Sequence, residues 1–248
     1  MHRYKLTLEY DGTPYQGFQR QPVGHTVQSV LETALEKFQH RRVVLYAAGR
    51  TDTGVHATGQ VCHVDLNKAY DLHTVCSALN YYLHEAPIRV VAAEHVKDDF
   101  HARFHAIGRR YLYRILNRRA PPALTTLRTW HVPRTLDIVR MQEGARELMG
   151  THDFNTFRTV HCQAKSSIRT LDMLTLQRVG EEIHVTTQAR SFLHHQVRNM
   201  VGTLSLVGLG HWSVGDLREA LAQKDRTKGG PTAPAHGLYL TDVLYPES

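Results

Sequence analysis

Residues 4–10 (YKLTLEY) alternate without a break, with Tyr4, Leu6, Leu8 and Tyr10 on one face and Lys5, Thr7 and Glu9 on the other. A repeat of two suits a strand with one buried face, and a helix cannot gather those side chains on one side. Asp11-Gly12-Thr13-Pro14 then ends the run with turn chemistry. Beyond it the period changes: Val27, Val30, Leu31, Ala34, Leu35 and Phe38 form one apolar stripe and predict a helix over 26–39. A strand at 58–66, a helix at 71–83 and a strand at 88–97 complete a first unit.

The second half repeats the theme. Residues 110–117 read as a strand, 135–149 as an amphipathic helix, and 166–178 and 182–192 as a strand pair. Ile183, Val185, Thr187 and Ala189 share one face and His184, Thr186, Gln188 and Arg190 the other, as in an antiparallel sheet with one wet face. A helix at 194–208 buries Val197, Met200, Val201 and Leu204. Another begins at Ser213 with Asp216 completing a capping-box pattern, and a last strand covers 238–245. The fold class expected is α+β, two ferredoxin-like (RRM-like) halves with antiparallel sheets, divided as 1–104 and 105–248. The Gly/Pro-containing stretch 228–236 is the conspicuous loop.

A chain of 248 residues with 42% apolar and 21% charged residues has room for a sizeable core. The N-terminus lacks the apolar stretch of a signal peptide, and the weakly polar run 200–210 is far short of the roughly 20 residues that span a bilayer. The expectation is a cytoplasmic protein without membrane segments. Cys62, Cys76 and Cys162 suggest neither a disulfide framework nor a zinc knuckle, and Cys62, alternating with Val64 and Leu66, reads as a buried hydrophobe.

The net charge is +7, and 23 of the 30 basic residues are arginine, so a polyanionic partner is indicated. The distribution is more telling than the total. No acid occurs in 100–136, 154–171 or 183–215, while Arg103, Arg109, Arg110, Arg114, Arg118, Arg119, Arg128 and Arg134 fall in the first of these stretches. Such segments read as one electropositive surface for phosphates.

The run Gly49-Arg50-Thr51-Asp52-Thr53-Gly54 carries the most chemistry. A turn aspartate is by default solvated. Here the two glycines allow close backbone approach, Arg50 offers a charge for a carboxylate or phosphate, and an apolar strand follows at once. Other constellations are weaker. His101 and His105 would align as metal ligands only on a helix, and His194 and His195, being adjacent, should diverge, so no metal is expected. Asp98-Asp99 and Glu181-Glu182 would face opposite sides of a strand and read as solvated. No phosphate-binding glycine loop supports a nucleotide cofactor.

The run 49–61, GRTDTGVHATGQV, closely resembles the catalytic motif of the TruA family of tRNA pseudouridine synthases. Four further signatures of the family find counterparts in the right order: YDGTPYQGFQRQ at 10–21, the middle pair FHARF at 100–104 with RRYLY at 109–113, FLHHQVRNMVG at 192–202, and GPTAPAHGLYL at 230–240. One departure is Thr53, where the family usually has alanine. The resemblance implies a pseudouridine synthase fold with its halves joined around a central cleft. It implies that Asp52 is the catalytic carboxylate, that Tyr111 stacks on the target uracil and that Arg198 pairs with Asp52. Arg50 then touches the phosphodiester or helps extrude the base. Read without the family, Tyr111 is equally a core tyrosine and Arg198 a surface arginine.

The implied reaction isomerises uridine at positions 38, 39 and 40 of the anticodon stem-loop of tRNA, on a homodimer whose subunits share one tRNA. It exchanges no electrons or atoms with the surroundings, so no cofactor is expected. Attack at C1′ and removal of the C2′ proton are both open to Asp52. The rival readings are an RNA-binding module without catalysis and a synthase acting on another RNA.

Overall fold

A computed structural model describes residues 1–160, 162 and 164–246; positions 161 and 163 of the acid-free stretch 154–171 lie outside the described residues. Backbone contacts divide the chain into two compact units, Met1–Ile107 with the C-terminal segment from Tyr239, and Gly108–Leu238.

In the first unit β1 (His2–Tyr10) is followed by α1 (Val27–Gln39), β2 (Tyr46–Ala47), β3 (His56–Leu66), α2 (Leu72–Tyr82) and β4 (Ile88–His95). The sheet order β4-β1-β3, antiparallel throughout, with β2 antiparallel on the far side of β3, is ferredoxin-like. The alternation in β1 does what it predicts: Tyr4, Leu6, Leu8 and Tyr10 are buried, opposite Val64, Cys62 and Gln60 of β3. Cys62 is a fully buried free thiol, and burial pushes its pKa up. Both helices start on a side-chain cap. Thr26 and Ser29 close a capping box, and Asp71 accepts from the N–H groups of His73 and Thr74.

The second unit holds β5 (Gly108–Leu116), β6 (Trp130–His131), α3 (Ile138–Glu147), β7 (Gly150–Asp153), β8 (Ile168–Val179), β9 (Glu182–Ala189), α4 (Gln196–Gly208) and α5 (Val214–Gln223). Its antiparallel order is β5-β9-β8-β7, with β6 parallel to β5. The Ser213–Asp216 capping box forms as the pattern requires. The final strand β10 (Leu238–Leu244) also forms where expected, and it pairs in parallel with β3 through Tyr239 opposite His56, a pairing that periodicity does not reveal. Strands β2, β6 and β7 are equally invisible in the sequence, because two to four residues cannot display a period. No helix among the described residues is long and apolar enough to cross a membrane.

Two expectations about charge need correction. Glu182 is not solvated: it accepts both guanidinium nitrogens of Arg114 at 2.8 and 2.7 Å and lies 2.9 Å from His184 Nε2. Burial pushes its carboxyl up, but these hydrogen bonds outweigh burial and hold it below the usual carboxylate range. Glu181 pairs with Arg118 at 2.6 Å. Acidic partners for two arginines of the 100–136 stretch thus arrive from the β8–β9 turn, so that stretch is less positive in space than along the chain.

The loop 100–105 is braced from several sides within the first unit. Arg3, held by a bidentate pair with Asp65 opposite it in the sheet, donates to the Phe100 carbonyl at 2.9 Å. The Ala102 N–H donates to His63 Nδ1 at 3.1 Å, and Tyr245 donates to the Ala102 carbonyl at 2.7 Å. His101 and His105 lie on one helical turn, closed by the His105 N–H on the His101 carbonyl at 3.0 Å. Their Nδ1 atoms accept the N–H groups of Arg103 and His101 at 3.2 and 3.4 Å. An imidazole nitrogen that accepts is unprotonated.

His63 is 2% exposed. Burial, then the neighbouring His101 and the charge of Arg3, lower its pKa from 6.5 to about 4. The folded chain therefore favours neutral His63, so this stabilisation is complete above about pH 6.5 and is lost as the pH falls toward about 4. Denaturant unfolding at about pH 7.5 and about pH 4.5 should show wild type losing on the order of 2–3 kcal/mol that His63→Asn does not lose. Equal pH dependence in the two proteins would refute the assignment.

Candidate active site

Asp52 opens a β-turn immediately before β3, closed by the Val55 N–H on the Asp52 carbonyl at 3.1 Å. Gly54 sits at the third position with φ of 76°, in the left-handed region a type II turn requires there. The carboxylate is half-buried and Arg50 is exposed.

The backbone on the other side of Asp52 is immobilised by groups from β1, β3 and the loop after β1. Thr51 is buried, its hydroxyl 2.8 Å from the Tyr10 hydroxyl, and its carbonyl accepts the Phe18 N–H at 3.0 Å. Gln60, fully buried on β3, donates to the Gly49 carbonyl at 2.9 Å. The loop 11–18 lies so close that Gly12 and Gly17 leave no room for a side chain. A Cβ on Gly17, whose φ is 83°, would stand 2.9 Å from the Thr51 carbonyl oxygen, and one on Gly12 would collide with the Val55 carbonyl. Within the chain, the close approach is made at Gly12 and Gly17, while nothing lies within 4 Å of a Cβ at Gly49.

Tyr111 and Arg198 belong to the second unit and are described there. Tyr111 shares a strand face with Tyr113 and Ile115, but the three differ in burial. Tyr113 and Ile115 are fully buried, with the Tyr113 hydroxyl donating to the Pro234 carbonyl at 2.7 Å. Tyr111, one alternation nearer the start of β5, is half-exposed with its ring edge-on to Phe192 at 5.2 Å. Arg198 is not the surface arginine of an amphipathic helix. α4 is buried almost all round, and Arg198 Nε donates to the Ala233 carbonyl at 2.8 Å while the Ala233 N–H donates back to the Arg198 carbonyl at 3.1 Å. The 228–236 loop thus holds both the backbone and the side chain of Arg198. Asn199 reinforces it, accepting from Thr232 at 2.6 Å and Arg226 at 3.3 Å.

His194 and His195 do not diverge. His195 takes a left-handed conformation at φ 63°, and the two ring centroids stand 4.3 Å apart. Adjacent side chains diverge on a strand, and the left-handed residue removes that geometry.

Sequence reading missed Tyr10, Phe18 and Gln60 as supports of Asp52. Tyr10 and Phe18 lie in the 10–21 run that resembles a family signature, but nothing in that run points to Thr51 as their partner. Gln60 offers a faint signal, an amide beside the apolar pair Val61 and Cys62, because a buried amide must find partners.

A family model described as tRNA pseudouridine synthase matches residues 7–105 and 145–246. The tRNA pseudouridine synthase A of Paramagnetospirillum magneticum is 61% identical over 248 residues, covering 100% of this chain and 97% of the relative. The proteins of the same name from Caulobacter sp. (strain K31) and Bartonella henselae are each 55% identical, over 99% of this chain and 98% and 100% of theirs. The chain belongs to the tRNA pseudouridine synthase family.

Proposed function

We propose that this chain converts uridine to pseudouridine at positions 38, 39 and 40 of the anticodon stem-loop of tRNA, with Asp52 as the catalytic carboxylate. The observation that carries the reading is identity over the full chain to relatives bearing that name, combined with an Asp52 turn braced on both sides. The reaction breaks the N1–C1′ bond, turns the detached uracil and joins C5 to C1′. The C5 proton is lost and N1 gains one, so atoms and electrons balance without a cofactor. As N1–C1′ lengthens, positive charge grows on the sugar, and an ionised carboxylate fixed beneath C1′ stabilises it.

In this reading Tyr111 offers its half-exposed face to the uracil, for about 1–3 kcal/mol of stacking. Arg198, whose Nε donates to the Ala233 carbonyl, takes the role that the family resemblance implies, as the charged partner of Asp52. Arg50, exposed two residues from Asp52, contacts the phosphodiester of the extruded nucleotide. The enzyme works in the cytoplasm as a homodimer whose subunits share one tRNA.

Asp52→Asn should bind tRNA as wild type does yet release tritium from C5-labelled tRNA on the order of 10³-fold more slowly. Near-normal release by the folded variant would end the assignment. Gly17→Ala pushes on the Thr51 carbonyl from a left-handed position. It should lower kcat by about 10- to 100-fold while far-ultraviolet circular dichroism stays unchanged. If kcat stays at the wild-type value, the loop does not set the position of Asp52. With several phosphates neutralised, tRNA affinity should fall at least about tenfold between roughly 50 and 200 mM salt, measured by filter binding. A flat response would contradict a basic RNA-binding surface.

A further inference from the structure

Phe104 is 72% exposed, although the loop that carries it is braced by Arg3, His63 and Tyr245. An apolar ring on a loose loop needs no explanation. A ring held out to water by a rigid one does, because the backbone beneath it cannot fold the ring away. Phe104 also has company. The His101 ring lies 4.3 Å from it at 37°, and Tyr46, 48% exposed, is 5.8 Å from His101. Tyr46 in turn lies nearly flat on buried His63, at 4.9 Å and 14°. The rings thus form a stepped shelf with His63 as its floor and Tyr46 and Phe104 as its open faces, joined by His101 at 57° to Tyr46 and 37° to Phe104. The Arg103 guanidinium stands 5.8 Å from the Phe104 ring centre.

The chemistry of this shelf is specific in two respects. Its open faces are aromatic rings rather than branched aliphatics, so each offers a planar π system a better fit than it offers a leucine or valine side chain. A cation stands beside the rings, so the planar group can carry an attached anion. An unpaired nucleobase with its phosphate has both properties. Tyr46 is also six residues from Asp52, which limits their separation to about 22 Å along an extended chain. An RNA that delivers a uridine to Asp52 therefore passes within reach.

We infer that Tyr46, His101 and Phe104 stack an unpaired base of the RNA substrate other than the uridine that reacts, with Arg103 on the adjoining phosphate. The inference rests on the reading of this chain as a tRNA-modifying enzyme, so the test first checks wild type. A full-length wild-type chain that neither binds nor modifies tRNA would overturn both.

Given an active wild type, Phe104→Ala should raise the Kd for tRNA and the KM by about 5- to 50-fold while kcat is retained. Phe104→Tyr should keep wild-type values, whereas Phe104→Leu, apolar but not flat, should lose as much as alanine. Stacking releases no counterions, so the Phe104→Ala factor should persist from low to moderate salt while that of Arg103→Ala shrinks. The thermal midpoint of Phe104→Ala should match wild type, because the ring is largely outside the fold. The inference is overturned if Phe104→Ala binds tRNA within about twofold of wild type. Rescue by leucine equal to that by tyrosine would also overturn it, as would a change in oligomeric state accompanying the loss, since the ring would then cover a second copy of the chain.

Discussion

The hydrogen bond from the Phe18 N–H to the Thr51 carbonyl is the contact around which the candidate site is organised. It joins the loop after β1 to the residue before Asp52, and the Tyr10–Thr51 hydroxyl pair reinforces it from the strand. A carboxylate at the tip of a free turn samples many positions, and ordering it when substrate arrives would cost conformational entropy. Here the backbone on both sides of Asp52 is held by hydrogen bonds before any substrate binds. The left-handed Gly17 follows from the same contact, since the loop reaches Thr51 only by an approach that leaves no space for a Cβ.

A related economy holds the loop 100–105. Three imidazoles accept backbone N–H groups that would otherwise be unsatisfied in a tight turn. A histidine serves this purpose only while its accepting nitrogen is unprotonated, and burial of His63 keeps it so. The histidine richness of the chain, which invites a metal hypothesis, is partly explained by this acceptor role. Each ring so used has one nitrogen already occupied.

In the second unit the last two motifs of the chain are physically one object. The Arg198 backbone and side chain both bond Ala233, and Asn199 bonds Thr232 and Arg226. Motifs about 35 residues apart in sequence therefore support a single guanidinium. The conformation of α4 and that of the 228–236 loop cannot be altered independently, because each satisfies polar groups of the other.

The periodicities of two and 3.6 residues determined most elements here, from β1 and α1 to the 183–189 face and the α5 cap, because those signals are local and several turns or pleats long. The same sequence singled out Asp52 through its glycine-bounded turn and the resemblance of five motifs, and membership of the tRNA pseudouridine synthase family agrees with that resemblance. Tertiary structure alone decided the rest. It gave Glu181 and Glu182 to Arg118 and Arg114, left Tyr111 half-exposed while burying Tyr113, brought the rings of His194 and His195 together through a left-handed residue, and placed Phe18 and Gln60 behind Asp52. Each depends on groups distant along the chain or on one unusual backbone angle, and neither leaves a period in the sequence. The Asp52 turn was thus legible in the sequence, and only folding supplied the groups that hold the backbone around it.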